Sequence, residues 1–241
     1  MLNGIRRTFG LPVSHTSLAA GACAVALALG VKAFYRQAGA GELLWILAPS
    51  VWLARFAGGI DLVYEPGAGY ISHAYRMVVG PACAGVNFLV ICFLTLYFCF
   101  SRCFHSKLRW LMWSAALSYF AAIAANGLRI YLSAHLWIAD FYLAWITQGQ
   151  MHRLAGTVVY YASLIALYVV VESFMGVKAS RFGPLLWYIG ITLGIPLVGR
   201  IAVGGTSEFS QHAVWVVAIA VTLSTVIFLP SVLRNRVFWR S

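Results

Sequence analysis

Cys83, Arg129 and His152 are the residues of this 241-residue sequence whose types and surroundings could together do chemistry. Cys83 lies in Gly80-Pro81-Ala82-Cys83-Ala84-Gly85. Proline favours the first helical position, so this run predicts a helix starting at Pro81 with Cys83 in its first turn. The unpaired amide hydrogens and dipole of a first turn stabilise an anion and therefore favour a thiolate. Cys92, Cys99 and Cys103 fall mid-helix or at the far end of the same apolar run and gain nothing comparable. Arg129 lies in Ala125-Asn126-Gly127-Leu128-Arg129-Ile130, with Asn126 one helical turn below it on the same face. A lone arginine near a membrane boundary can simply snorkel to the interface. One with an asparagine beneath it is equally well read as an inward-facing polar site. His152 stands in Met151-His152-Arg153-Leu154-Ala155-Gly156. A thiol nucleophile, an imidazole acid/base and a fixed cation for a developing oxyanion are the parts of an acyl-transfer site. His73 and His135 fall on the same predicted side, so spacing alone does not select His152.

The elements that must position these residues are membrane helices. Hydrophobic residues make up 62% of the chain and charged residues 10%, with a mean hydropathy of +0.85. Ordinary globular domains hold about 45–50% and about 25%. Disordered, collagen-like, disulfide-scaffold and soluble-enzyme classes are excluded together. Seven apolar runs approach the length of about 20 residues that a bilayer needs. They are Thr16 to Phe34, Leu43 to Gly58, Ala84 to Cys103, Trp110 to Leu132, Gly156 to Met175, Pro184 to Val203 and His212 to Ser231. The second is the weakest, being short and carrying Pro49 and Arg55. The first lacks a small-residue cleavage site and is read as a retained span. Leu62 to Val79 alternates around Glu65-Pro66-Gly67-Ala68-Gly69 and predicts a short hairpin. Residues 133 to 147 are aromatic and apolar and predict a helix lying in the interface. The expected fold is thus an all-α polytopic membrane protein: one integral membrane domain over residues 1–241, a bundle of about seven transmembrane helices with a short outer hairpin and an interfacial helix.

Seventeen Lys and Arg against six Asp and Glu give a net charge of +11. The basic residues sit at the ends of apolar runs, so topology and anionic lipid explain them better than nucleic acid. Lys32, Arg36, Arg102, Lys107, Arg109, Lys178, Arg181, Arg234, Arg236 and Arg240 form one set of connections, which the positive-inside rule assigns to the cytoplasm. Cys83, Arg129 and His152 then share the outer boundary. Seven spans would leave Arg6 and Arg7 outside, against the rule, so either the second run does not fully cross or the amino terminus tolerates the wrong charge. No metal or cofactor is expected: Cys99, Cys103 and His105 lack a fourth zinc ligand, and Ser207 lies outside a Gly-x-Ser pattern.

Taken in order, three pieces carry a family resemblance. Cys83-Ala84-Gly85-Val86, Ala125-Asn126-Gly127-Leu128-Arg129-Ile130 and His152-Arg153-Leu154-Ala155-Gly156 resemble the Cys-small-Gly-apolar, Ala-Asn-x-x-Arg-apolar and His-x-x-x-Gly motifs of the exosortase/archaeosortase family. The resemblance covers about residues 60–175 and is nearest the compact exosortase K type. It implies a membrane cysteine protease or transpeptidase of the bacterial cytoplasmic membrane. Such an enzyme cleaves exported, membrane-anchored proteins at a carboxy-terminal tail of short motif, apolar helix and basic end. It also implies that Cys83 attacks the peptide carbonyl, Arg129 stabilises the oxyanion, His152 protonates the leaving amine and Asn126 orients Arg129, with Gly85 and Gly156 in support. Ala84 departs from the pattern, because many members carry Ser there. The alternative is a non-enzymatic membrane protein, such as a transporter subunit or assembly factor. Pro49, Pro196 and Arg200 are the features that fit a transport path.

Overall fold

The computed structural model describes residues 15–138, 148–177, 182–201 and 213–227. Along the chain lie α1 (His15–Gln37), α2 (Leu44–Gly58), β1 (Val63–Glu65), β2 (Gly69–Ser72), β3 (Met77–Val79), a 3-10 turn (Pro81–Cys83) and α3 (Val86–Phe100). A second 3-10 turn (Ser101–Cys103), α4 (Lys107–Ile138), α5 (Gln148–Met175), α6 (Gly183–Ile201) and α7 (Ala213–Ile227) follow. The protein is helical and of membrane character. Four stretches, Thr16–Gln37, Pro81–Cys103, Lys107–His135 and Leu154–Met175, are long and apolar enough to cross a bilayer. The seven expected spans thus become four of full length among the described residues, with α2, the apolar part of α6 (Gly183–Gly194) and α7 shorter.

α3 is apolar on every side and is the central helix, with Phe88, Cys92, Leu96 and Phe100 all buried. The outer helices turn apolar side chains outward instead: Leu18, Leu29 and Phe34 of α1, and Met112, Trp113 and Phe120 of α4, are exposed. That inversion suits lipid, which gains nothing from a polar surface. Ion pairing is sparse, and packing does the work: Trp110 stacks on Phe104 at 4.1 Å and donates its indole N–H to the Leu96 carbonyl at 3.2 Å.

Neighbouring contacts set the helix directions. α1 runs antiparallel to α3: Gly21 faces Phe98, and Tyr35 at the other end donates to the Pro81 carbonyl at 3.2 Å. α4 reverses α3, α5 reverses α4, and α6 starts against Cys99 and Tyr168 and climbs back toward Cys83. α2 breaks the alternation. Its Trp45 lies beside Tyr119, Ser50 and Leu53 beside Gly127, and Gly58 beside Tyr131, so it runs parallel to α4. Its 15 residues reach about 22 Å at about 1.5 Å per residue, short of a hydrocarbon core of about 30 Å. Pro49 removes the amide that would bond the Trp45 carbonyl, and Tyr119 meets that carbonyl with its hydroxyl at 2.7 Å. α2 is therefore shorter than a full span, with Ile46, Leu47, Val51 and Ala54 buried on one face and Trp52 and Phe56 exposed on another.

This corrects the charge assignment. Lys32 bonds to Asn87 near the start of α3, whereas Arg102 and Lys107 follow its end, so Lys32 and Arg36 do not share an end with them. With α2 not reversing the chain, α1 begins at the Arg102 end, where the charge rule wants the basic amino-terminal segment. We expect reporters fused before α1 and after α7 to report the same side of the membrane. An impermeant thiol reagent should reach Cys83 and an Arg36→Cys variant from the opposite side to Cys103. Labelling of Arg36→Cys together with Cys103 would refute the arrangement.

The hairpin is present with a third strand. β1 pairs with β2 through Tyr64 opposite Tyr70, and β2 pairs with β3 through Tyr70 opposite Val79, all antiparallel. Gly69 has φ +110, and a Cβ there would come within 2.6 Å of the Val79 carbonyl, so the crossing demands glycine. Buried Ile60, Leu62 and Val79 fasten this sheet to the helices, and β3 delivers the chain to Pro81. Of the expected interfacial helix, residues 133–138 are the last turns of α4; 139–147 lie outside the described residues.

Candidate functional site

Cys83 ends a 3-10 turn and does not stand in the first turn of α3, which begins at Val86. Its own amide donates to the Gly80 carbonyl at 2.9 Å, and the Ala84 amide to the Pro81 carbonyl at 3.0 Å. The reason is Gly85, whose left-handed conformation (φ +75) separates the turn from the helix. The helix-dipole account of the thiol is thereby withdrawn; what Cys83 gains is a fixed loop. Tyr35 pins that loop from α1, and Gly85 presses against Asn126, where a Cβ would lie 3.2 Å from the asparagine Cβ and Cγ. Gly85→Ala should therefore destabilise by about 1–2 kcal/mol for the left-handed backbone and by a further ~1 kcal/mol or more for the clash. Gly67→Ala, with φ +84 and open space around it, should show the backbone cost alone. Thermal aggregation midpoints in detergent measure both; equal shifts would remove the Asn126 contact from the explanation.

Arg129 approaches from α4. Its Cδ passes 3.4 Å from where a Gly156 Cβ would stand, and its guanidinium carbon lies 5.3 Å from the Tyr160 ring centroid. Asn126, fully buried, accepts from the Tyr160 hydroxyl at 2.9 Å. Among the described residues no hydrogen bond joins Asn126 to Arg129; Asn126 meets Tyr160 and packs against Gly85 of the Cys83 loop. Arg129 Nε and Asn126 Nδ2 are buried donors without a protein acceptor among the described residues.

Cys83, Gly85, Arg129, Gly156 and Tyr160 line one cavity of about 400 Å³, closed around by Tyr35, Phe88, Tyr188, Thr192 and Val216. Six helices meet there. Apolar rings and aliphatic groups form most of the wall, and the thiol, the guanidinium and a few hydroxyls are its polar points. No family model, no curated protein and no solved structure matches the chain. The chemistry therefore rests on the site itself.

The other sequence expectations divide. His152 falls within α5, one turn before Gly156, but its side chain lies outside the described residues. His73 is largely exposed, 3.9 Å from Glu65 in the sheet, and the His135 ring nitrogen Nδ1 lies 2.9 Å from the Tyr131 carbonyl; neither lines the cavity. Cys92 is buried within the core, while Cys23 and Cys103 are exposed away from the site. Two residues had been overlooked. Tyr160 follows Gly156 by one turn, a spacing that places it on the face already singled out, and Tyr35 is signalled only by its position at the end of α1.

Proposed function

We propose that this protein is a membrane cysteine transpeptidase or protease of the exosortase kind. On this reading it acts on membrane-anchored protein substrates with a carboxy-terminal sorting tail, at the outer face of the bacterial cytoplasmic membrane. The observation that carries the reading is that Cys83 and Arg129, 46 positions apart in sequence, line the same cavity.

In the proposed reaction His152 takes the proton of the Cys83 thiol, the sulfur bonds to the scissile carbonyl carbon and the carbonyl oxygen becomes an oxyanion facing Arg129. The C–N bond then breaks, and the leaving amine takes a proton from His152. The acyl group remains on sulfur as a thioester until an acceptor nucleophile or water displaces it. Arg129 acts through charge and direction, which are worth most where water is excluded. The cavity is partly open, and a bound substrate would complete that exclusion against its mostly apolar wall.

Trapping the acyl-enzyme tests this directly. Purified protein incubated with an exported reporter ending in a short motif, an apolar helix and a basic tail should acquire on Cys83 the mass of the reporter less its released tail. Hydroxylamine should release it, as a thioester requires. Tail removal without any adduct on Cys83, under conditions that slow acceptor attack, would refute the thiol mechanism. Failure of the protein to process any such tail would leave the non-enzymatic alternative standing.

A further inference from the structure

We infer that Tyr160 is the positioning residue that sets Arg129 against the Cys83 site, its ring seating the guanidinium and its hydroxyl tying that seat to the Cys83 loop. This inference rests on the proposed roles of Cys83 and Arg129. The guanidinium carbon lies 5.3 Å from the Tyr160 ring centroid, inside the range of about 6 Å at which a cation is drawn to an aromatic face. Phe88 stacks on the same ring at 4.7 Å and 14°, so the ring cannot tilt freely. Its hydroxyl donates to Asn126 Oδ1 at 2.9 Å, and Asn126 packs against Gly85, two residues after Cys83. No hydrogen bond links Asn126 to Arg129 among the described residues, so the route from the Cys83 loop to the guanidinium runs through Tyr160. α5 supplies both parts of the mount: the slot at Gly156 through which the arginine stem passes and, one turn on, the ring on which its head rests.

A ring that only filled space would act independently of Arg129, whereas a seat matters only while a guanidinium sits on it. Tyr160→Leu should therefore lower kcat for the tail-bearing reporter about 10- to 100-fold with KM nearly unchanged, as a displaced transition-state group does. Tyr160→Phe, which keeps the face and loses the hydroxyl, should lose only about 2- to 5-fold. In an Arg129→Lys background Tyr160→Leu should cost less than about 3-fold, because coupled residues are not additive. Equal losses from Tyr160→Leu in the two backgrounds would overturn the inference. If Tyr160→Leu fails to accumulate, phenylalanines with increasing ring fluorination at position 160 replace it: kcat should fall with each fluorine as the face loses its negative charge, and a flat series overturns the proposal. Cys83→Ala in the same assay separates the two claims. Turnover by that variant would overturn the thiol reading and this inference with it, while an inactive Cys83→Ala beside additive Tyr160 and Arg129 variants would overturn the role of Tyr160 alone.

Discussion

Cys83→Ala is expected to reach the membrane at near-normal level and to process no tail-bearing reporter. The side chain is half-buried on a cavity wall and its loop is held by other atoms, namely the Gly80 and Pro81 carbonyls, the Tyr35 hydroxyl and Gly85. Removing one sulfur there should cost about 1 kcal/mol or less of stability. The chemistry has no second thiol to fall back on, because Cys92 is sealed in the core and the other cysteines lie off the cavity. Cys83→Ser should be nearly as inactive: a hydroxyl is a far poorer nucleophile than a thiolate without a base dedicated to it. Cys92→Ala is the informative contrast. Fully buried against α3's neighbours, it should lower the thermal midpoint while leaving turnover per folded molecule intact. Processing of the reporter by Cys83→Ala, measured by gel shift and intact mass, would eliminate the covalent mechanism.

The helices were legible in the sequence because apolar length is enough to announce them. Their directions were not, and α2 shows why. Leu44–Gly58 is apolar, yet it falls short of a bilayer core and runs parallel to α4, which a hydropathy count cannot register. That single element changed the side on which Lys32 and Arg36 fall. It also removed the conflict over Arg6 and Arg7 that the seven-span reading carried. At the site, residue types foretold the partners but not the geometry. Cys83 and Arg129 do share a cavity, while the left-handed Gly85 detaches the thiol from the helix on which its activation had been argued. Gly85's left-handed backbone and its close packing against Asn126 from another helix are tertiary features that residue types do not show. Asn126 likewise looked like a companion of Arg129 because helical spacing brings them to one face. Its bond goes to Tyr160, 34 residues on, a choice that only tertiary packing makes.

Arg129→Lys is the substitution on which the snorkelling and catalytic readings diverge most. A snorkelling residue needs a long stem and a charge, both of which lysine has, so that reading predicts no loss. The environment of Arg129 asks for more. Its stem is threaded past Gly156 at 3.4 Å, its head lies over the Tyr160 ring, and its Nε, an atom lysine does not possess at that place, is a buried donor without an acceptor among the described residues. A planar guanidinium seated on a ring points its donors in fixed directions, whereas an ammonium is a mobile point charge that draws water to itself. We therefore expect Arg129→Lys to insert and fold normally but to lose about 10²- to 10³-fold in kcat, the usual cost of one oxyanion donor. Asn126→Ala should fall between this variant and the wild type in rate, and should lower the thermal midpoint as well, since it strips support from both Gly85 and Tyr160. The decisive measurement is single-turnover acylation of Cys83 by the tail-bearing reporter, which isolates the step in which the oxyanion forms. Wild-type acylation by Arg129→Lys would take Arg129 out of the reaction and return it to the membrane interface, leaving the cavity with a thiol and no partner for the charge that its attack creates.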